Sequence, residues 1–250
     1  MIDGKETPQR LSCVITFHNE GYLAHTTLLS VEKCRDYFNT RIPTHPVEIV
    51  FVLDKTDNLT EKIVNESSCL KSWDKVLKVK YGDLSKSRNY GVSNASGDII
   101  SILDGDDYYS ENYLYENYIN CVKNPSAVSH PQVIQSFGAS NEYFIIKSSD
   151  SLDDSIWYST HPYNSSVTAS RKIFEQVPYQ PLEDCYAYED WLWNLEVLSL
   201  GYKHIPAEKT IRFYRRKKNG QLQQQRNQAR LIYPSSFFDK ETYEKLQKTD

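Results

Sequence analysis

No run in this chain stays apolar for the roughly 20 residues that a membrane-crossing helix needs, so a spanning helix is not expected. The opening MIDGKETPQR is polar and lacks the apolar centre of a secretory signal. Cysteine is sparse: Cys13, Cys34, Cys69, Cys121 and Cys185 are scattered, odd in number and form no CxxC pair. A disulfide framework is therefore not expected, and reduced thiols in a cytoplasmic protein are the simplest reading. In that compartment the Asn58-Leu59-Thr60 triplet would not be glycosylated. There is no excess of basic residues, since the formal net charge is -4, and a nucleic-acid polyanion is not an expected partner. Internal repeats and low-complexity segments are missing before the C-terminal region, and no linker separates two domains.

What is present is ordinary for a folded chain: 39% hydrophobic and 25% charged residues argue against wholesale disorder. With 250 residues there is enough chain for one large α/β domain or two small ones. Tyrosine is abundant at 19 residues, which suits sugar rings and core packing alike.

The periodicity predicts strands over Leu11–Phe17, Val47–Leu53, Val76–Tyr81 and Asp98–Leu103. Helices over Gly21–Phe38, Asn58–Glu66 and Leu84–Ala95 alternate with them. That alternation describes a parallel, doubly wound sheet, whose ligands bind at the carboxyl ends of the strands. Those ends carry His18-Asn19-Glu20, Asp54 and Asp104-Gly105-Asp106-Asp107, so scattered polar residues should converge on one sheet edge. Further on, Gln132–Gly138 and Tyr143–Lys147 read as a hairpin, and Ser165–Ser170 as a strand leading into a helix at Arg171–Gln176. A helix lies within Tyr186–Gly201. From Lys209 to Phe238 there are eight Lys or Arg residues and no Asp or Glu.

Carboxylates as close as Asp104, Asp106 and Asp107 repel one another unless a cation sits among them. Mg²⁺ or Mn²⁺ held by one or two carboxylates keeps open positions for phosphate oxygens. Gly105 allows a tight bend there. Taken alone, a solvated acidic turn explains the cluster equally well. Read singly, Asp54 is a helix-cap residue, and Arg88 either a surface charge or the partner of a nucleotide or of the acidic cluster. Glu189 and Asp190 open a helix, where acids complement the dipole; the sharper reading makes one of them a general base. Three readings of the basic stretch that holds Arg212, Arg215 and Arg216 stay open: a flexible diphosphate clamp, a contact for acidic lipid headgroups, or a solvated tail.

Four ordered blocks carry a resemblance to a known family. LSCVITFHNEGYLAHTTLLSV resembles the first strand, loop and helix of family 2 glycosyltransferases. VEIVFVLDKTDNLT resembles their second strand, and SKSRNYGVSNASGDIISILDGDDYY their Arg-Asn helix followed by the Asp-x-Asp strand. SSVTASRKIFEQV with YEDWLWNLEVLSLGYK resembles the acceptor-side strand and the Glu-Asp helix. The resemblance implies an α/β GT-A fold: one domain over 1–208, with a nucleotide-binding half at about 11–107 and an acceptor-binding half at about 108–208. Residues 209–250 would then form a basic C-terminal extension or lid. It implies inversion by a single displacement from a nucleotide-sugar, UDP-linked by preference, onto a saccharide or lipid-linked saccharide. By position, Thr16, Phe17, His18, Glu20, Asp54 and Arg88 would line the nucleotide site, with Asp104 and Gly105 at the donor. Asp106 would hold Mn²⁺ or Mg²⁺, Asp107 is a second candidate ligand, and Asp190, beside Glu189, would be the base. The expected setting is cytoplasmic, with peripheral contact at the inner membrane face. Thr16-Phe17-His18 departs from the commoner Pro-Thr-Tyr, and the turn after Asp54 lacks the usual Asp-Gly-Ser. A nucleotidyltransferase and a non-catalytic sugar-binding module are the alternatives; no Gly-rich phosphate loop near the first strand supports the former.

Overall fold

A computed structural model describes residues 9–158, 160–181, 186–216, 231–232 and 235–238. Four parallel strands form its first half: β1 (Leu11–Phe17), β2 (Glu48–Asp54), β3 (Lys75–Val79) and β4 (Ile99–Asp104). Between them run α1 (Tyr22–Arg41), α2 (Asn58–Asn65) and α3 (Leu84–Asn94). Asp57 and Asp83 cap α2 and α3 by accepting the backbone N–H of Thr60 and Lys86. The first helix runs on past the expected Phe38 to Arg41 and stops because Ile42 precedes Pro43, a position that disfavours helical backbone.

The second half comprises β5 (Tyr108–Tyr109), α4 (Tyr113–Lys123), β6 (Ala127–Gly138), β7 (Tyr143–Ile145), β8 (Val167–Ser170), α5 (Arg171–Gln176), β9 (Tyr186–Ala187), α6 (Glu189–Ser199), β10 (Lys203–Arg216) and β11 (Leu231–Ile232). The main sheet has the order β3-β2-β1-β4-β8-β6-β10-β5, with β7 on β6, and β9 pairs with β11 apart from it. The hairpin of β6 and β7 forms as expected. Strand β8 runs antiparallel to β4, which makes the sheet mixed.

Both sheet faces are covered, which explains why β1 and β2 are buried along their whole length. Side chains alternate along β1: Leu11, Cys13, Ile15 and Phe17 pack with Leu28, Val31 and Cys34 of α1 and with α4. Val14 points the other way, into a cluster with Val92 of α3, Phe174 of α5 and Trp193 of α6. Cys13, Cys34, Cys69 and Cys121 are buried free thiols; Cys185 lies outside the described residues.

Two elements differ from expectation. Helix α4 is built on aromatic and amide residues, with Tyr113, Leu114, Asn117, Tyr118 and Cys121 buried, so its stripe is weakly apolar. Strand β10 lies inside the sheet, parallel to β6 and antiparallel to β5. The boundary expected between residues 208 and 209 therefore falls within a strand, and the extension beyond residue 216 lies largely outside the described residues. Among the described residues no helix is long and apolar enough to cross a membrane.

Candidate active site

The register of the sheet levels three strand ends. Thr16 of β1 sits opposite both Val52 of β2 and Asp104 of β4, so His18, Asp54 and the acidic turn emerge side by side. Gly105 belongs here for steric reasons. Its N–H donates to the Thr16 carbonyl at 3.1 Å, and a Cβ would meet that oxygen at 2.7 Å and the Phe17 ring at 2.6 Å.

The β1 and β2 ends are organised by hydrogen bonds. His18 Nδ1 lies 2.6 Å from the Asp54 carbonyl, which can only accept, so Nδ1 carries the hydrogen; Nε2 then accepts from Asn19 Nδ2 at 3.1 Å. The backbone N–H of His18 donates to Glu20 Oε2 at 2.6 Å. The Asp54 carboxylate accepts from Gly82 N (2.9 Å), Asp83 N (3.2 Å) and Ser87 Oγ (2.8 Å), which ties the β3–α3 loop onto β2. Thus Asp54 shapes the wall of the expected nucleotide site. Phe17 does not reach that wall: it is 1% exposed, on the α1 side of the sheet, packed on Phe51. The alternation of β1 sends its side chain into the core, which corrects its placement in the nucleotide site.

Two buried arginines hold the acidic residues together. Arg88 of α3 donates to Asp104 Oδ1 and to Glu189 Oε1, each at 3.0 Å, with its guanidinium over the Tyr179 ring. Burial opposes its charge, but Asp104 and Glu189 hold it protonated. Arg212 of β10 donates to Asp107 Oδ2 (2.6 Å), Asn164 Oδ1 (2.7 Å) and Asp104 Oδ2 (2.8 Å). Burial pushes the Asp104 carboxyl up, yet Arg88 and Arg212 outweigh it and hold the group at about 2. Ser165 Oγ adds a bond to Asp104 at 2.5 Å. The strand expected from Ser165 begins only at Val167, because Ser166 N turns back to Asn164 Oδ1 and leaves Asn164 and Ser165 facing the arginine and the aspartate.

These contacts revise two expectations. Asp107 is fully buried, its oxygens engaged by Arg212 and by the backbone N–H of Arg215 at 2.9 Å, so its carboxylate is turned to the protein where an exposed metal ligand was expected. Arg212 is 2% exposed in a sheet strand, which is no flexible clamp. Arg215 and Arg216 follow on the same strand, half-buried; Arg216 approaches Glu142 at 3.9 Å and lies over Tyr214. The lid and membrane-surface readings of the basic stretch rest mostly on residues 217–230, outside the described residues.

On the acceptor side, Tyr188 takes left-handed backbone (φ 66°, ψ 52°), unusual for a side chain of its size, and turns the start of α6 toward Arg88. Burial and then the neighbouring Asp190 push the Glu189 carboxyl up to about 6, with Arg88 opposing. Burial likewise raises Asp190, against the pull of Arg88. Asp190 Oδ1 accepts its neighbour's N–H, from Trp191, at 2.9 Å.

No set of three or more metal-ligating side chains gathers among the described residues. A single-carboxylate site fits what is there. Asp104 and Asp107 pair with arginines, and Asp106 lies between them, half-buried. Among the described residues Arg88 and Arg212 are the side-chain cations paired with Asp104, Asp107 and Glu189, and burial raises Asp107 to about 7, so added positive charge would favour the ionised carboxylates.

The comparisons with known proteins agree with this geometry. Residues 12–179 match Glycosyl transferase family 2, and the chain belongs to that family. Its structure is similar to S. aureus TarS 1-349 in complex with UDP-GlcNAc, with a TM-score of 0.66 and 17% identity over 86% of this chain and 60% of that one. It is similar also to TarS 1-349 in complex with UDP (TM-score 0.64, 17% identity, 83% of this chain, 61% of that one). The chain thus spans about 60% of the length of those TarS chains. No curated protein matches it by sequence. The fold is GT-A, and family membership places the chain among the glycosyltransferases.

Proposed function

We propose that this protein transfers a sugar from a UDP-sugar to a hydroxyl of a saccharide or lipid-linked saccharide, with inversion at the anomeric carbon. The observation that carries the reading is the Arg88 bridge: one buried guanidinium joins Asp104, on the donor side, to Glu189, next to the proposed base. The complexes of TarS with UDP-GlcNAc and UDP support the choice of nucleotide. Thr16, His18, Glu20 and the loop held by Asp54 would receive the nucleotide, and Asp104 the ribose or donor sugar. Asp106 is the residue that would hold Mn²⁺ or Mg²⁺. Such a cation, once bound, offsets the negative charge that grows on the leaving diphosphate. Arg88 keeps Asp104 and Glu189 fixed, so the site needs little rearrangement as charge develops. Asp190 takes the acceptor proton while the acceptor oxygen attacks the face opposite the leaving group.

A screen of nucleotide-sugars for nucleoside diphosphate release, with Mg²⁺ or Mn²⁺, tests the activity. We expect UDP from a UDP-sugar, and a product of inverted anomeric configuration by NMR. Pyrophosphate release would mean a nucleotidyltransferase, and donor held without turnover a sugar-binding module. EDTA should abolish turnover, added cation should restore it, and Asp106→Ala should not recover; full activity in EDTA would remove the metal from the proposal.

A further inference from the structure

His161, in the segment before β8, enters neither the family resemblance nor the mechanism above, yet it faces the proposed base. Its Nδ1 lies 3.9 Å from Asp190 Oδ2, and its ring stacks on Trp191 with an interplanar angle of 4°. Which nitrogen carries hydrogen follows from the neighbours. Asn194 on α6 contacts the Asp190 carbonyl at 2.7 Å, and a carbonyl only accepts, so the Asn194 atom there is Nδ2. The same Nδ2 lies 3.1 Å from His161 Nε2. Having only hydrogens to offer, Nδ2 makes Nε2 an acceptor. The hydrogen of a neutral imidazole then sits on Nδ1, facing Asp190 Oδ2. Burial keeps the ring neutral, holding its pKa at about 3.

A separation of 3.9 Å is too long for a hydrogen bond between the two groups, and a gap of that size invites a bridging oxygen. One oxygen can lie at about 2.8 Å from both, with an angle near 90° between them. A hydroxyl fits this seat: it accepts from Nδ1–H and donates to Oδ2, as the water it would displace also does. Asp190 Oδ1 is anchored by Trp191 N, so Oδ2 is the oxygen that remains for substrate.

We propose that His161 Nδ1–H and Asp190 Oδ2 together form the seat of the acceptor hydroxyl, with His161 donating to its oxygen and Asp190 accepting its proton. This rests on the glycosyltransferase reading with Asp190 as base. In the transfer the acceptor oxygen forms its bond to the anomeric carbon, and its proton passes to Asp190 Oδ2. The bond from that carbon to the diphosphate breaks, and the electron pair leaves with the diphosphate. His161 keeps its proton throughout. The seat selects a group that can both donate and accept, so it takes an alcohol and rejects an ether or an ammonium ion at this position.

Two variants separate donation from packing. His161→Phe keeps a ring for Trp191 and removes the donor, and His161→Asn retains a donor close to the Nδ1 position. UDP-GlcNAc serves as donor and ethylene glycol, at varied concentration, as the probe acceptor. His161→Phe should raise the KM for ethylene glycol by about 3- to 10-fold, the scale of one hydrogen bond. His161→Asn should recover part of that loss, and UDP affinity should stay unchanged in both. NMR of ¹⁵N-histidine-labelled protein gives an independent readout and should find His161 neutral with the hydrogen on Nδ1. An Nε2–H tautomer overturns the proposal whatever the activity. So does an unchanged acceptor KM in His161→Phe while Asp190→Asn is inactive. Normal transfer by Asp190→Asn would instead overturn the base assignment.

Discussion

The two halves of the sheet bury different chemistry. In the nucleotide half, β1 and β2 are buried end to end, and their side chains are apolar except for Ser12, Thr16, Glu48 and Asp54. In the acceptor half, β6 and β10 bury Ser129, His130, Ser136, His204, Thr210 and Arg212. His130 and His204 touch ring to ring, Nε2 to Nδ1, at 2.7 Å. Apolar packing, which tolerates adjustment, fills most of β1 and β2; the strands β6 and β10 carry more directional bonds, which do not. Changes in the buried strands of the acceptor half should therefore disturb chemistry and stability together, and changes in the packing of the nucleotide half, away from its strand ends and Arg88, mainly stability.

The largest expected effect is Asp190→Asn, which keeps shape and removes the base: turnover should fall by about 10²–10⁴-fold with little change in UDP affinity. Glu189→Gln should cost less, and a greater loss there would exchange the two roles. Next comes a matched pair of buried arginines. Arg35 in the nucleotide half pairs with Asp74 at 2.8 Å, and Arg212 in the acceptor half with Asp104 and Asp107. Arg35→Met and Arg212→Met should each destabilise by about 3–5 kcal/mol in denaturant unfolding, since each strands a buried carboxylate. Only Arg212→Met should also abolish turnover in the protein that remains folded. Equal loss of activity in both would erase the contrast between the halves.

Glycines sharpen the same comparison. A Cβ on Gly91 of α3 would collide with Val14 and approach Val52 at 3.0 Å, so Gly91→Ala should cost about 1–3 kcal/mol by forcing helix and sheet apart. Gly201, after α6, has open space around it but a φ of +80°, and Gly201→Ala should cost about 1 kcal/mol from backbone strain alone. The smallest effect is in the pH profile. Burial raises both Glu189 and Asp190 from their ordinary values, so the ionised base needs a higher pH than it would in the open. It is lost, on acidification, at a higher pH than an isolated aspartate would require. Burial is the main cause of the Asp190 shift and survives the exchange, so Glu189→Gln should leave the acid limb of kcat/KM above that of an isolated aspartate.

The same contrast explains what was legible in the sequence. Apolar runs such as VITF and VEIVFVL mark their strands directly, and each pairs with a neighbour close in sequence or one helix away, so the nucleotide half could be read almost to the residue. The convergence of His18, Asp54 and Asp104 followed from topology alone. Strand β10 was hidden because Lys203–Arg216 has no apolar run, and its burial comes from β6, far away in sequence. The Arg88 bridge was half legible: a partner in the acidic cluster was expected, but Glu189, on a different helix, was not. Asn164, Ser165 and His161 carry no sequence signal, because their positions depend on a turn and not on a periodic element. Phe17 was misplaced by following the family pattern where strand alternation already pointed to the core.

The place of β10 between β6 and β5 also bears on how the chain is made. A ribosome delivers β1 to β4 with their helices as one continuous block, so that half can close as it emerges. The acceptor half has to wait. Tyr109 and the β6 strand are made long before Arg216, and at about 5–20 residues per second the interval is roughly 5–20 s. For that time β6 lacks its longest neighbour, Asp107 lacks its arginine, and Asp104 has Arg88 alone. The acidic turn at the heart of the site is thus assembled last, and a nascent chain arrested before β10 would hold a nearly complete nucleotide half beside an unfinished site.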